Sequence, residues 1–449
     1  MPCSLSFSFL TLLPLAFAWA VPFSSLLDTG TQSILAARSS GNATVSYSDI
    51  PSGQDYVAMS WFAGWDADGN DPHFSVTNIS WEKYNVVSYA MAATTANGTF
   101  ELDESDQALL HQFVEEAHKN NVMALLALGG WDGSRYFSSS VATPEARSTF
   151  AQAIYDTVKA YDLDGIDFDW EYPNNNVTSV GCNVVSPSDT ANFLSLLQYL
   201  SANASSHGVP DLILTAAVGL QPWLGADGTP LTDVSAFAEV LSFVEMMAYD
   251  VWGSWSAHVG PNSPLYDACA EAAYQKGSAQ GAVDAWTQAG FPVGHIVLGV
   301  PGYGRSFVVD RSEALEAEGF ALELRAYPTF SGVPSGDSWD SDDSPDACGV
   351  VSGYSGVYDF WGLVEAGFLD EDGSVAGGIW YRYDNCSQTP YVWYNGTQVM
   401  VSYDNAESFR AKGNFIKDKG LLGFAIWQAG SDYNNILVDS ILETAISSS

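Results

Sequence analysis

Within LDGIDFDWEYP (residues 163–173) four acidic side chains, Asp164, Asp167, Asp169 and Glu171, stand among apolar ones. Charges are rarely buried without a partner or a purpose, so an acidic row in an otherwise core-like run asks for chemistry. In extended backbone, Asp167, Asp169 and Glu171 at i, i+2 and i+4 share one face, while Ile166, Phe168 and Trp170 take the other. Asp164 has the opposite parity to the three acids and is assigned a structural role. Three carboxyls spaced a pleat apart cannot all ionise cheaply, so at least one proton is retained. A proton held on the outermost acid, Glu171, is what general acid catalysis needs. Acid rows also bind divalent metals, but no His or further acid stands at matching positions, and no metal or cofactor is expected. A purely ion-paired row would need basic partners, which are scarce in a chain with 15 Lys+Arg.

Such a row has to be carried by a sheet. Short apolar runs recur along the chain: YVAMSWF (56–62), NVVSYAMA (85–92), VMALLALGG (122–130), LDGIDFDW (163–170), DLILTAAVG (211–219), SFVEMMAYD (242–250), HIVLGVPGYG (295–304) and GLLGFAIWQ (420–428). Amphipathic stretches such as SDQALLHQFVEEAHKNN and SPSDTANFLSLLQYLSANASS lie between several of them. Apolar strands alternating with helices predict a parallel sheet, and eight such units over this length predict a (β/α)8 barrel. The acidic row then points into the barrel, with Glu171 nearest the C-terminal strand end where sites of this fold lie. Neither G-x-G-x-x-G after the first strand nor G-x-x-x-x-G-K-[ST] is present, which removes the main support for a nucleotide-binding fold. The interval between the seventh and eighth runs is long and turn-rich, as in GGIWYRYDNCSQTPYVWYNGTQVMVSYD. It predicts an α+β insertion over 308–398, with the barrel formed by 54–307 and 399–446.

The remaining features bear on where the chain works and on what. With 53 Asp+Glu the formal net charge is −38, which disfavours phosphate backbones and anionic lipid, so neither nucleic acid nor a membrane surface is expected as partner. The 15 Trp, 22 Tyr and 23 Phe supply flat rings of the kind that pack on sugar faces as well as in cores. LSFSFLTLLPLAF followed by Ala18-Trp19-Ala20 reads as a signal peptide over 1–20, and the Ser/Gly/Thr-rich stretch 21–53 as a flexible leader. The run is short for a membrane span, so a secreted protein is expected. Cys3 falls in the signal, leaving Cys182, Cys269, Cys348 and Cys386 for two disulfides, with three connectivities open. N-x-[ST] acceptors occur at Asn42, Asn78, Asn97, Asn176, Asn203, Asn385 and Asn395.

DGIDFDWEYP resembles the D-x-x-D-x-D-x-E motif of glycoside hydrolase family 18, the chitinases, on the expected fourth strand. MAYD (247–250) is similar to the family's M-x-Y-D, LGVPGYGRSF to its seventh-strand motif, and GFAIWQAGSD to its eighth strand with its Trp. The resemblance covers roughly residues 55 to 445. The third strand departs from it: the usual S-x-G-G reads Ala127-Leu128-Gly129-Gly130, so a Ser that supports the acid row in relatives is missing, while Gly129 and Gly130 are retained in a structural role. The resemblance implies hydrolysis of β-1,4 bonds between N-acetylglucosamine units of chitin, with retained configuration, by a monomer. The family is a known substrate-assisted exception to the two-carboxylate scheme. Glu171 is then the general acid/base and Asp169 the acceptor for the acetamido N–H. Asp167 shares a proton with Asp169, Tyr249 binds the acetamido oxygen, and Asp250 holds the distorted sugar. Trp427 would form the floor under the cleaved sugar and Trp131 and Trp255 the platforms on the leaving-group side, with Met247, Tyr303 and Arg305 lining the site. For Arg305 a role as ion-pair partner alone stays open, and Trp61 and Trp65 read more readily as core than as platform. Cys182 and Cys269 fall in loops after strands four and six and Cys348 and Cys386 in the insertion, so the pairs Cys182–Cys269 and Cys348–Cys386 are expected. Two alternatives remain: a chitin-binding lectin of the same fold, in which the acid at the Glu171 position is usually replaced, and an endo-β-N-acetylglucosaminidase on N-glycans.

Overall fold

The structure, a computed structural model, describes residues 56–175, 182–318, 321–340, 345–346, 348–351 and 353–446. The segment through residue 53, with Cys3 and Asn42, and the acceptor Asn176 lie outside the described residues. The barrel begins with β1 (Val57–Ala63) and β2 (Val86–Thr94), the latter with a two-residue antiparallel partner β3 (Phe100–Glu101). It continues through β4 (Met123–Gly129), β5 (Gly165–Asp169), β6 (Ile213–Val218), β7 (Phe243–Met247) and β8 (Ile296–Pro301). The insertion strands are β9 (Tyr303–Val308), β10 (Leu315–Glu318), β11 (Ala321–Leu324), β12 (Val357–Asp359), β13 (Trp380–Asp384), β14 (Thr389–Tyr394) and β15 (Val399–Ser402). The last barrel strand is β16 (Gly423–Trp427). Parallel neighbours run β1-β16-β8-β7-β6-β5-β4-β2, and β2 pairs back onto β1, so the sheet closes. All eight apolar runs are barrel strands, and the amphipathic stretches form the helices Glu104–Lys119 and Asp189–Asn203. The (β/α)8 barrel is therefore the fold.

Strand alternation divides the apolar residues between two cores. Ile166, Phe168 and Trp170 face the helices, where Phe168 and Trp170 each meet Phe193 and Trp170 stacks on Phe137 at 5.0 Å. The inner layer is built from Met59, Trp61, Leu125, Ala127, Ala217, Phe243, Val297 and Ala425, all buried. That packing fixes the parity of β5, because a slip of one residue would turn Phe168 inward and Asp167 toward the helices.

The five-stranded antiparallel sheet of the insertion has the order β12-β9-β15-β14-β13 and is wider at both ends than residues 308–398. β9 leaves β8 after a single residue, Gly302, whose N–H donates to Trp427 O at 2.8 Å, so no turn signal marks the junction. The cysteine pairing differs from expectation. Cys182 bonds Cys348 and Cys269 bonds Cys386, rather than Cys182 with Cys269 and Cys348 with Cys386. Pairing follows which loops meet. The loop after β5 reaches the insertion, and the loop after β7 lies on the β13–β14 turn, where Leu265 N–H donates to Ser387 O at 2.8 Å. Each disulfide thus fastens one barrel loop to the insertion. Asn78, Asn97, Asn385 and Asn395 are exposed, while Asn203 is half-buried with its amide nitrogen donating to Tyr199 O at 2.8 Å. Among the described residues no helix is long and apolar enough to cross a membrane.

Candidate active site

The acid row lies at the C-terminal end of β5. Asp167 is fully buried, and each of its oxygens accepts one hydrogen bond: Oδ2 from Trp61 Nε1 at 2.7 Å and Oδ1 from Thr215 Oγ1 at 3.0 Å. Burial pushes Asp167 up to about 6, with Trp61, Thr215 and Ser88 opposing the rise. Asp169 is nearly buried and its Oδ1 has no hydrogen-bond partner. Burial raises it well above the ordinary carboxyl range, and Glu171 and Asp167 add to that. Glu171, partly open, is pushed up to about 7 by burial; a hydrogen bond from Tyr172 opposes this and the nearby Asp250 and Asp132 reinforce it. The row therefore runs from Asp167, whose two oxygens each have a donor, through Asp169, held well above the ordinary carboxyl range, to an outer acid pushed up to about 7.

Gly129 and Gly130 close the approach to this row. Both have positive φ, and a Cβ would collide with the Asp169 carbonyl at the first and with Met91 Sδ at the second. Ser134 Oγ lies 2.7 Å from Gly130 O and 3.0 Å from Asp169 O, and accepts from Glu171 N–H at 3.0 Å. One hydroxyl thus fixes the turn that carries the outer acid. Asp164 accepts from Ala124 N–H at 2.8 Å and pairs with His118 Nε2 at 2.9 Å.

On the facing strand, Tyr249 and Asp250 follow β7, and Asp250 sits at φ 56°. Asp250 Oδ1 accepts from Tyr303 O–H at 2.8 Å and from Arg305 Nε at 2.7 Å, and the Arg305 guanidinium lies 4.9 Å from the Trp255 ring centre. Arg305 is thus an ion-pair partner that also supports an aromatic ring. Tyr249 packs edge-on against Tyr303 at 6.2 Å, and Met247 belongs to the inner apolar layer. Trp427 ends β16, its ring centre 5.7 Å from Trp61 and 6.3 Å from Trp65. Trp131, Trp255 and Trp65 expose 49%, 60% and 53% of their surface, far more than core rings show, and all three follow strand ends. Trp65 is therefore open, whereas Trp61 is core and serves the acid row through its N–H.

Several members of the site went unread in the sequence. Trp61 and Thr215 supply the donors to Asp167, and the Ala127 position, in register with Asp167, supplies none. Thr215 could have been found as the one polar inward residue of ILTAAV. Ser134, Tyr172 and Glu245 gave no motif signal that set them apart. Glu245 is a fully buried acid on β7, and neither of its oxygens has a hydrogen-bond partner. Among the described residues no group of three His, Cys, Asp or Glu side chains could hold a metal ion. Chemically, the arrangement offers a protonated outer acid, an unpaired inner acceptor and open aromatic faces.

Comparison with known proteins gives this geometry a family. The family model for glycosyl hydrolases family 18 matches residues 57–432. A protein of Moniliophthora roreri named a chitinase-like effector is 43% identical over 401 residues, covering 89% of this chain and 95% of that one. Chitinase A1 of Niallia circulans is 30% identical over 72% of this chain and 42% of its own length. Among solved structures, a chitinase from Rhizomucor miehei superimposes with a TM-score of 0.74 at 31% identity, covering 86% of this chain and 99% of that one. The chain belongs to glycosyl hydrolases family 18.

Proposed function

We propose that this protein is a chitinase that hydrolyses β-1,4 bonds between N-acetylglucosamine units, using the substrate's own acetamido group as nucleophile. The observation that carries this reading is the pairing of a proton-bearing Glu171, pushed up to about 7, with an Asp169 oxygen that has no partner. Glu171 gives its proton to the bridging oxygen of the leaving sugar. The acetamido carbonyl oxygen bonds to C1 as the C1–O bond breaks, giving an oxazolinium ion. Asp169 accepts the acetamido N–H, which becomes acidic as positive charge develops, and its own proton passes to Asp167, where Trp61 and Thr215 hold the carboxyl in place. Tyr249 donates to the acetamido oxygen, Asp250 steadies the sugar from the opposite strand, and Trp427 lies beneath it. Glu171, now a carboxylate, removes a proton from the water that opens the oxazolinium ion, so the configuration at C1 is retained.

The similarity to chitinase-like effectors favours a second reading, oligosaccharide binding without turnover. An intact Glu171 and the unpaired Asp169 oxygen weigh for turnover. The two readings separate in one comparison of the wild type with Glu171→Gln on N-acetylglucosamine oligomers. Turnover predicts release of new reducing ends by the wild type, a loss of about a thousandfold or more in the variant, and quenching of tryptophan fluorescence by both. Fluorescence quenching without cleavage by the wild type establishes binding alone. We also propose that the protein acts outside the cell as a glycosylated monomer on chitin or chito-oligosaccharides; its apolar N-terminal run, its two disulfides and its exposed N-x-[ST] asparagines support this.

A further inference from the structure

Tyr249 and Asp250 lie beyond the end of β7 at Met247, and Asp250 stands at φ 56°. A non-glycine residue in that left-handed region persists only where its surroundings over-determine it. Two consecutive residues further along the same loop, Asn262 and Ser263, do so here, and both are buried. Ser263 O–H donates to Ala248 O at 2.6 Å, one residue before Tyr249. Asn262 Oδ1 accepts from Asp250 N–H at 3.2 Å, and Asn262 O accepts from Val251 N–H at 3.1 Å. Backbone groups on both sides of Tyr249 are thereby held. Asn262 also donates through Nδ2 to Tyr303 O at 3.1 Å, and its own N–H donates to Ser402 Oγ at 2.8 Å. The mechanism above uses neither Asn262 nor Ser263.

We propose that Ser263 is a positioning residue that holds Tyr249 in place for the proposed reaction, with the buried Lys412–Asp404 pair fixing the direction of its hydroxyl. Lys412 lies on the helix Ala406–Lys419, and Asp404 lies between β15 and that helix, where the insertion returns to the barrel. Lys412 Nζ donates to Asp404 Oδ1 at 2.6 Å and to Ser263 Oγ at 2.8 Å, and both charged side chains are buried. A hydroxyl has one hydrogen and two lone pairs, whereas an ammonium can only donate. Lys412 therefore occupies a lone pair of Ser263 and leaves the hydroxyl hydrogen for Ala248 O. The direction of each bond is thus set by the one before it. Asp404 holds the ammonium, the ammonium orients Ser263, and Ser263 holds the carbonyl next to Tyr249. A buried charge is tolerated only when it is paired and hydrogen-bonded, so Lys412 has little freedom to leave this arrangement. Ser263 and Lys412 are buried and act on the substrate only through Tyr249. Their catalytic consequence rests on the proposed function, in which Tyr249 donates to the acetamido oxygen.

The test joins a double-mutant cycle to native-state hydrogen exchange, both on the full protein. Ser263→Ala removes the donor to Ala248 O, so kcat on acetylated oligomers should fall about tenfold. KM should stay within about twofold, because a displaced Tyr249 spoils the aim of the acetamido oxygen at C1 more than it weakens binding. In a Tyr249→Phe background the same substitution should cost about twofold or less, since the hydroxyl it positions is already gone. Lys412→Met combined with Asp404→Asn removes the anchor without stranding a buried charge, and should lower kcat about threefold. In both variants the amides of Asp250 and Val251 should exchange faster, by about tenfold in Ser263→Ala. A tenfold loss of kcat in both backgrounds would overturn the proposal, because Ser263 would then act apart from Tyr249. Unchanged exchange at Asp250 and Val251 in Ser263→Ala, or an unchanged kcat in the Lys412–Asp404 replacement, would overturn it as well. If the wild type cleaves no oligomer, the exchange rates of the two variants decide whether Ser263 and its anchor hold the turn, and the failure falls on the proposed function. Should one variant fail to fold by circular dichroism, the other carries the decision.

Discussion

Three carboxyls on one strand face were legible because a two-residue period is visible in any strand sequence. What surrounds them was not, because the donors to Asp167 come from positions 106 and 48 residues away. Trp61 is the clearest case: as an aromatic in an apolar run it reads as core, which it is, yet its N–H holds Asp167 Oδ2 at 2.7 Å. Together with Thr215 it gives Asp167 two donors without any contribution from the Ala127 position. Trp61→Phe therefore tests the support of the row. A donor to a carboxylate lowers its pKa, so removing it raises Asp167 from about 6 and the carboxylate is protonated at a higher pH. The acidic limb of the pH–rate profile for oligomer hydrolysis should rise by roughly one unit, with kcat down about tenfold. An unmoved limb would show that Trp61 only fills space.

At the scale of elements, every barrel strand was announced by an apolar run, and each boundary fell within a few residues of the structure. The insertion was announced by its length and turn chemistry, but not its first strand, since β8 passes into β9 through one glycine. The cysteine pairing was hidden for a different reason. It depends on which loops touch above the barrel, a tertiary fact that spacing does not encode. Cys182–Cys348 and Cys269–Cys386 close segments of 166 and 117 residues. Replacing either pair by Ser should therefore cost about 2–5 kcal/mol, the upper part being the chain-entropy limit for long loops. Equilibrium unfolding of each double variant would measure this, and peptide mapping without reduction would find the two named pairs. Crosslinked peptides containing Cys182 with Cys269 would refute the architecture of the upper face.

At the scale of the whole molecule, a net charge of −38 and a set of buried acids make stability depend on pH in a definite direction. Burial pushes Asp66 and Glu171 up to about 7, and Asp167, Asp337 and Asp432 up to about 6. A carboxyl raised in the folded state binds its proton more tightly there than in the unfolded chain. Its contribution is complete below the unfolded value near 4 and is lost as pH rises through about 6 to 7. Exposed carboxyls that are lowered, Glu145, Asp156, Asp227, Asp233 and Asp372, act in the opposite sense only as pH falls below their unfolded values. The protein should therefore unfold at a higher temperature at pH 5 than at pH 8, by roughly 2–4 °C for a net gain of about 2 kcal/mol. Differential scanning calorimetry at the two pH values reads this directly. The central claim, that the substrate's acetamido group is the nucleophile and Glu171 the acid, is tested most directly by the anomeric form of the first products. Time-resolved NMR should be run on acetylated oligomers and on fully deacetylated ones. The account predicts β-anomer first from the acetylated substrate and no cleavage of the deacetylated one. Early α-anomer, or cleavage of both substrates at similar rates, would contradict it.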